Sequence, residues 1–295
     1  NALKNNISSC SSTAIGYNSL LNNTAASNTG VGKDSLEANT SGGNNTAVGA
    51  DALAANTTAS NNTAVGRLAL LSNTEGTHNV ALGINTLYCN TCGGYNTAIG
   101  NCALAATTSD QNTAVGYDAL VANTSGDCNT AVGAFSLYCN TGGDYNVAVG
   151  RTALRNNTCS LNVGIGYAAG YNGATAEGIT AVGGQTLFTN ITGTNQTSIG
   201  YRALYMSNAA DNTAVGAYAL CKNTAGCRNT AVGVSALCKN TTGLYNAALG
   251  RTALVSNTTG CFNTGLGTYA GYGNTTGLTN SYVGYAAGYT NETAA

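Results

Sequence analysis

Few side chains in this sequence could do chemistry, and they are thinly spread. The one histidine, His78, stands in the polar turn TEGTHNV, with no Ser or Cys at a spacing that would make it a general base, so a surface role is expected. The eleven Asp and Glu residues are scattered over turns and strand ends. No column of them is expected, which disfavours both paired-carboxylate catalysis and Ca²⁺-binding repeats of the GGxGxD type. Glycine-rich stretches such as SGGNN and CGGYN lack the GxxxxGK[ST] pattern of a phosphate loop. Of eleven cysteines only Cys89 and Cys92 form a CxxC, and no second pair stands near enough to complete a zinc site. These residues assign no catalytic group, no metal and no cofactor.

Two modifications are written more clearly. Fourteen N-x-S/T sequons occur, and eight share one register: Asn39, Asn56, Asn123, Asn190, Asn240, Asn257, Asn274 and Asn291. Glycans there would line one edge of the molecule. Asn73, Asn90, Asn140 and Asn223 keep the same column without the sequon, which favours a structural role for the amide. Cys221 and Cys238 occupy equivalent places in consecutive repeats. Stacked Cα atoms about 4.8 Å apart lie within disulfide range, so a bridge between them is predicted.

The register that relates these residues is a repeat. NTAVG occurs at Asn45–Gly49 and again at Asn62–Gly66, and pentads like it end at seventeen glycines from Gly16 to Gly284. Successive glycines are 17 residues apart, or 16 in four intervals, and each short interval lacks the glycine of the longer polar turn. The residue before the glycine is always Val, Ile or Leu, as at Val48 and Val65. Leu follows four later in fourteen copies, as at Leu53 and Leu70. Asn precedes the glycine by four in fourteen copies, among them Asn45, Asn62 and Asn79. Each copy reads as a short β run, a bend at a glycine such as Gly49 or Gly66, a second short run and a polar turn. A unit this small cannot bury its own apolar residues and must stack on its neighbours.

Seventeen residues are too few for two packed helices, and the Thr, Val, Asn and Gly content opposes helix. The expected fold is therefore all-β: a parallel β-solenoid, or β-roll, of about seventeen 16–17-residue coils, one continuous repeat domain over residues 1–295 and about 80 Å long. Recurring Val, Leu and Asn should form ladders, with each Asn amide donating to one neighbour and accepting from the other. Ten scattered Lys and Arg and a net charge of −1 disfavour nucleic acid as a partner. No apolar run is long enough to span a membrane.

The segments NTAVGADAL at Asn45 to Leu53 and NTAVGYDAL at Asn112 to Leu120 resemble the NxAxG repeats in the heads of trimeric autotransporter adhesins of the YadA type. They are still more similar to NTAVG repeats of phage and giant-virus tail-fibre-like proteins, and the likeness covers about residues 12 to 290. It implies a left-handed β-roll that trimerises, on a cell or virion surface and so extracellular. The uncharged T-A-V-G run points independently to both faces being covered and hence to homomeric packing, the alternative being a single solenoid with a small, polar outer face. Neither end carries an obvious polar cap, so head-to-tail growth into a filament is also expected. Three functions follow: a non-enzymatic structural or adhesive fibre, an ice-binding solenoid, or a polysaccharide-acting β-helix. Thr13, Thr46, Thr63, Thr97 and Thr113 share a column that would suit ice, but Val80, Val147, Val163 and Ala247 interrupt it, which suggests that it faces inward. Tyrosines five after the glycine, such as Tyr88, Tyr138 and Tyr171, either stack on surface glycans or cover a corner.

Overall fold

The computed structural model describes residues 1–5 and 10–290. Its secondary structure is seventeen strands of three residues each, from β1 (Thr13–Ile15) to β17 (Ser281–Val283), with turns between them and no helix among the described residues. The chain falls into two compact units, unit 1 (Asn1–Asn146) and unit 2 (Val147–Ala295). Unit 1 holds β1 to β8 (Thr130–Val132), and unit 2 holds β9 (Val147–Val149) to β17. Each is a parallel β-solenoid in which like residues pair. Between β3 (Thr46–Val48) and β4 (Thr63–Val65), for example, Thr46 meets Thr63, Ala47 meets Ala64 and Val48 meets Val65.

The central Ala of each strand points inward, so Ala47 and Ala64 are fully buried while Val48 and Val65 are only half-buried. The valine column is stacked as expected, and it lies on the outside. The Thr column does too, for Thr46 is half-buried and Thr63 exposed. A period-2 strand with Ala at its centre must turn both neighbours away from the core.

The second run predicted after the glycine is not a strand. Residues 50–55 form consecutive turns in which Asp51 and Leu53 have φ of 58° and 50°. Leu70 repeats this at 51°. Left-handed backbone costs an L-residue about 1–2 kcal/mol. Full burial of the same leucine contributes roughly 2 kcal/mol, which offsets it. The turn still joins its neighbours, since Leu53 N–H donates to the Ala69 carbonyl at 3.0 Å and Leu70 N–H to Thr86 at 2.9 Å.

Glycine at the bend is enforced by stacking. Gly49 and Gly66 have φ of 140° and 139°, and a Cβ on either would lie 2.4 or 2.2 Å from the carbonyl oxygen of the next glycine in the column.

Half of the core is polar. Asn45, Asn62 and Asn79 are fully buried. Their side-chain oxygens accept from the next coil's backbone: Asn62 N–H donates to Asn45 Oδ1 and Asn79 N–H to Asn62 Oδ1, both at 2.9 Å. Their Nδ2 groups donate to turn carbonyls, Asn45 to Ala59 and Asn62 to Gly76, each at 2.8 Å. This ladder runs chiefly from backbone to side chain. The amide-to-amide bonds expected here are made in unit 2, where Asn246 donates to Asn229 and Asn263 to Asn246, both at 3.1 Å. The other Asn column is amide-to-amide in both units. Where the sequence departs from Asn it compensates in place. Around Thr107 and Ser109 the two hydroxyls bond each other at 2.8 Å, and Ser109 donates to Gly126. Gly173 and Ile179 replace one Asn of each column, with Ile179 buried at 1% exposure in the space between.

Candidate functional site

Seven of the sequon asparagines sit in the second internal ladder. Asn39, Asn56, Asn123, Asn190, Asn240, Asn257 and Asn274 are all 0% exposed. Asn56 Nδ2 donates to Asn39 Oδ1 at 2.7 Å and to the Ala59 carbonyl at 3.0 Å, and Asn73 continues the series to Asn56 at 3.0 Å. Asn257 bonds Asn240 at 2.8 Å, and Asn274 bonds Asn257 at 3.0 Å. An N-glycan replaces one of these amide hydrogens with a sugar for which the core has no room. The predicted row of glycans is therefore overturned at these seven positions, and Asn291 lies outside the described residues.

Cys221 and Cys238 face each other on adjacent coils, but as thiols, so the expected bridge is not formed. The pair is arranged as a hydrogen bond instead. The bond from the Cys221 thiol, helped by the nearby charges of Lys222 and Lys239, brings Cys238 down to about 7 against the opposing effect of burial. The same bond, reinforced by burial, pushes Cys221 up. Cys238 is thus the more acidic thiol of the pair.

The acids include a column that the sequence reading missed. Asp110, Asp127 and Asp144 stand six before successive glycines. Gly94 N–H donates to Asp110 at 2.7 Å, Asp110 N–H to Asp127 at 2.8 Å and Asp127 N–H to Asp144 at 2.8 Å. Elsewhere in this column the acceptor is likewise a side chain, Ser60 Oγ for Gly43 N–H and Cys261 Sγ for Leu244 N–H. Among the described residues no group of three or more His, Cys, Asp or Glu side chains is placed to hold a metal.

His78 is exposed, as expected, and stacks on Tyr95 with centroids 4.8 Å apart and planes 4° apart. Asn61 Nδ2 lies 3.3 Å from its Nε2 and Thr77 Oγ1 lies 3.1 Å from its Nδ1, an arrangement that suits a neutral ring with the proton on Nδ1. In unit 2 the corner residues Tyr171, Phe188 and Tyr205 stack face to face at 5.1 and 5.3 Å. Arg155 and Arg202 lie over the outer rings. Faces used in this way against neighbouring rings cover the corner.

The outward strand face also lacks a covering layer among the described residues. In unit 1 it exposes Ile15 (61%), Leu82 (45%) and Val80; in unit 2 it exposes Ile199, Leu249 (51%) and Leu266. In unit 2, where Ala247 replaces Thr, the face dips into a shallow cleft of about 320 Å³ lined by Thr230, Val232, Leu249, Thr264 and Leu266. Repetition along each stack makes these side chains continuous columns. Between Ile15 and Leu82 the column passes through the half-buried Val31, Val48 and Val65. No helix among the described residues is long and apolar enough to cross a membrane. No protein-family model and no curated protein matches the chain.

Proposed function

We propose that this protein is a non-enzymatic structural and adhesive fibre element that acts outside the cell, on a cell or virion surface, and assembles with copies of itself through its outward strand faces. The observation that carries this reading is the pair of apolar and Thr columns on that face, half-buried or exposed at every coil while the core beneath is already filled. The mechanism is mechanical. Inter-coil hydrogen bonds and ladders stiffen the stack, and the face repeats one weak contact many times, so that multivalency supplies the avidity.

Sedimentation of the full chain tests the reading. The wild type should form oligomers, and Ile199→Asp together with Leu249→Asp, both at exposed sites, should shift it to monomer without loss of the folded signal. A wild type that stays monomeric at every concentration, or a variant that assembles unchanged, would contradict it.

The outward Thr column favours ice as a second ligand. The expectation that Thr13, Thr46, Thr63, Thr97 and Thr113 face inward is reversed by the structure, since all five are half-buried or exposed. In-register pairing repeats their hydroxyls about every 4.8 Å. Absence of thermal hysteresis and of ice-crystal shaping would remove this second reading.

A further inference from the structure

We propose that unit 1 binds a small planar aromatic molecule in a corner groove, where the ring of the occupant takes the place of a ring that the chain omits. The groove has a volume of about 430 Å³, the size of a small-molecule site, and its lining is mostly apolar: Leu68, Tyr88, Ala105, Ala106 and Val121. None of the residues that line it belongs to a strand, so the site is independent of the self-association read above.

Two columns flank the groove, the second and the fifth residues after the bend glycine. Side chains in these columns meet within one coil: the rings of Phe135 and Tyr138 have centroids 5.7 Å apart, and those of Tyr269 and Tyr272 5.9 Å apart. In the coil that follows Gly100 both positions are short, Cys102 and Ala105, and Ala106 is short beside them. The coil before supplies Asn85 and Tyr88, and the coil after supplies Val121. The groove is therefore a missing rung with Tyr88 at one end.

Unit 2 shows what fills such a rung. There the fifth-residue column carries Tyr171, Phe188 and Tyr205 in successive coils, stacked at 5.1 and 5.3 Å with planes 17° and 3° apart. In unit 1 the same column reads Tyr88, Ala105, Val121 and Tyr138, so Tyr88 has no ring on the rung that follows it. A planar ring laid on Ala105 and Ala106 would lie one coil spacing, about 4.8 Å, from Tyr88, a separation at which stacked rings attract. The lining selects against sugars, because many hydroxyls would find only the Asn85 amide and the thiols of Cys89 and Cys102 among the side chains. Asn85 Oδ1 is buried without a hydrogen-bond partner. Turning the amide toward the groove breaks no bond to that oxygen and offers one polar contact to a ring hydroxyl.

Titration of the full chain with 2-naphthol, a planar probe with one hydroxyl, followed by the probe's fluorescence, tests this. Binding should saturate, and cyclohexanol, which has the hydroxyl but no planar ring, should not compete. Ala105→Tyr fills the rung from within, so it should abolish binding while cooperative thermal unfolding is retained. Tyr88→Ala removes the stacking partner and should weaken binding about two- to tenfold. Peptide mapping after brief alkylation locates the probe, which should slow the reaction of Cys89 and Cys102 and leave the exposed Cys10 and Cys92 unchanged. No saturable binding, protection that spares Cys89 and Cys102, or equal competition by cyclohexanol would overturn the proposal. Binding that survives both substitutions unchanged would do the same. If Ala105→Tyr does not fold, Tyr88→Ala and the protection pattern decide.

Discussion

Gly66 has no tolerable substitute, because its φ of 139° and the glycine carbonyl 2.2 Å from its virtual Cβ exclude a side chain independently. Gly66→Ala should destabilise unit 1 by at least about 3 kcal/mol, read from chemical denaturation, whereas Ala at an exposed turn position should be nearly neutral. Asn56 is constrained by bonding: its loss would take the donor from Asn39 Oδ1 inside the core, while the Ala59 carbonyl would keep only Asn45 Nδ2 and Asn73 Nδ2 only the Gly76 carbonyl. Asn56→Ala should cost about 2–4 kcal/mol, at about 1–3 kcal/mol for the orphaned oxygen and the rest for the bonds lost beside it. At the thiols, alkylation should reach Cys238 before Cys221 and slow as pH falls below about 7, since the thiolate is the reactive form. Cys221→Ala removes the hydrogen-bond donor, so the rate profile of Cys238 should move up towards an ordinary thiol near 8.5. Peptide mapping after brief alkylation across pH measures both, and an unchanged profile would discard the pairing. At this scale the sequence showed which residues recur but not their bonds, because a ladder partner seventeen residues away is defined only once the coils are stacked.

The coil is the element that substitution respects. Where Gly271 and Gly288 replace the usual Leu, Tyr282 replaces the usual Ala of the strand and fills the vacated space. A Cβ on Gly271 would lie 2.5 Å from the Tyr282 ring, and one on Gly288 only 2.2 Å from it. Tyr282→Ala alone should cost about 3–5 kcal/mol by leaving a cavity. Adding Gly271→Leu rebuilds the common packing at a φ of 61°, close to the 50° that Leu53 adopts, and should recover much of that loss. A double-mutant cycle on thermal unfolding checks this, and simple additivity would mean the two sites are not coupled. The aspartate column is a second device of the coil. Asp127→Asn keeps the oxygen that accepts from Asp110 N–H and removes one of three stacked like charges, so the midpoint of unfolding should rise at low salt and converge with the wild type at high salt. The sequence displays both devices in aligned columns, yet a tyrosine aligned with alanines looks like noise until its neighbours' missing side chains are seen around it.

For the whole molecule, buried sequons set a condition on biogenesis. Oligosaccharide transfer to Asn56 or Asn257 in the unfolded chain would block stacking, so folded protein should carry no glycan in that register. Expression in a host that glycosylates should yield aggregated glycosylated chains beside an unmodified soluble fraction, and soluble folded protein bearing glycans at those sites would refute the burial. The proposed place outside the cell therefore requires a route to the surface that bypasses such machinery. The sequence by itself determined the parallel stack, the register and the bends, because an error of one residue in a seventeen-residue period would displace every Leu, Gly and Asn from its column at once. Only the tertiary structure decided which side of each strand is inside. Hydrophobicity favours burying Val48 over Ala47, but the cross-section already filled by Leu53, Asn45 and Asn56 leaves room for a single methyl group, so Ala47 turns in while Val48 and Thr46 form the outward face.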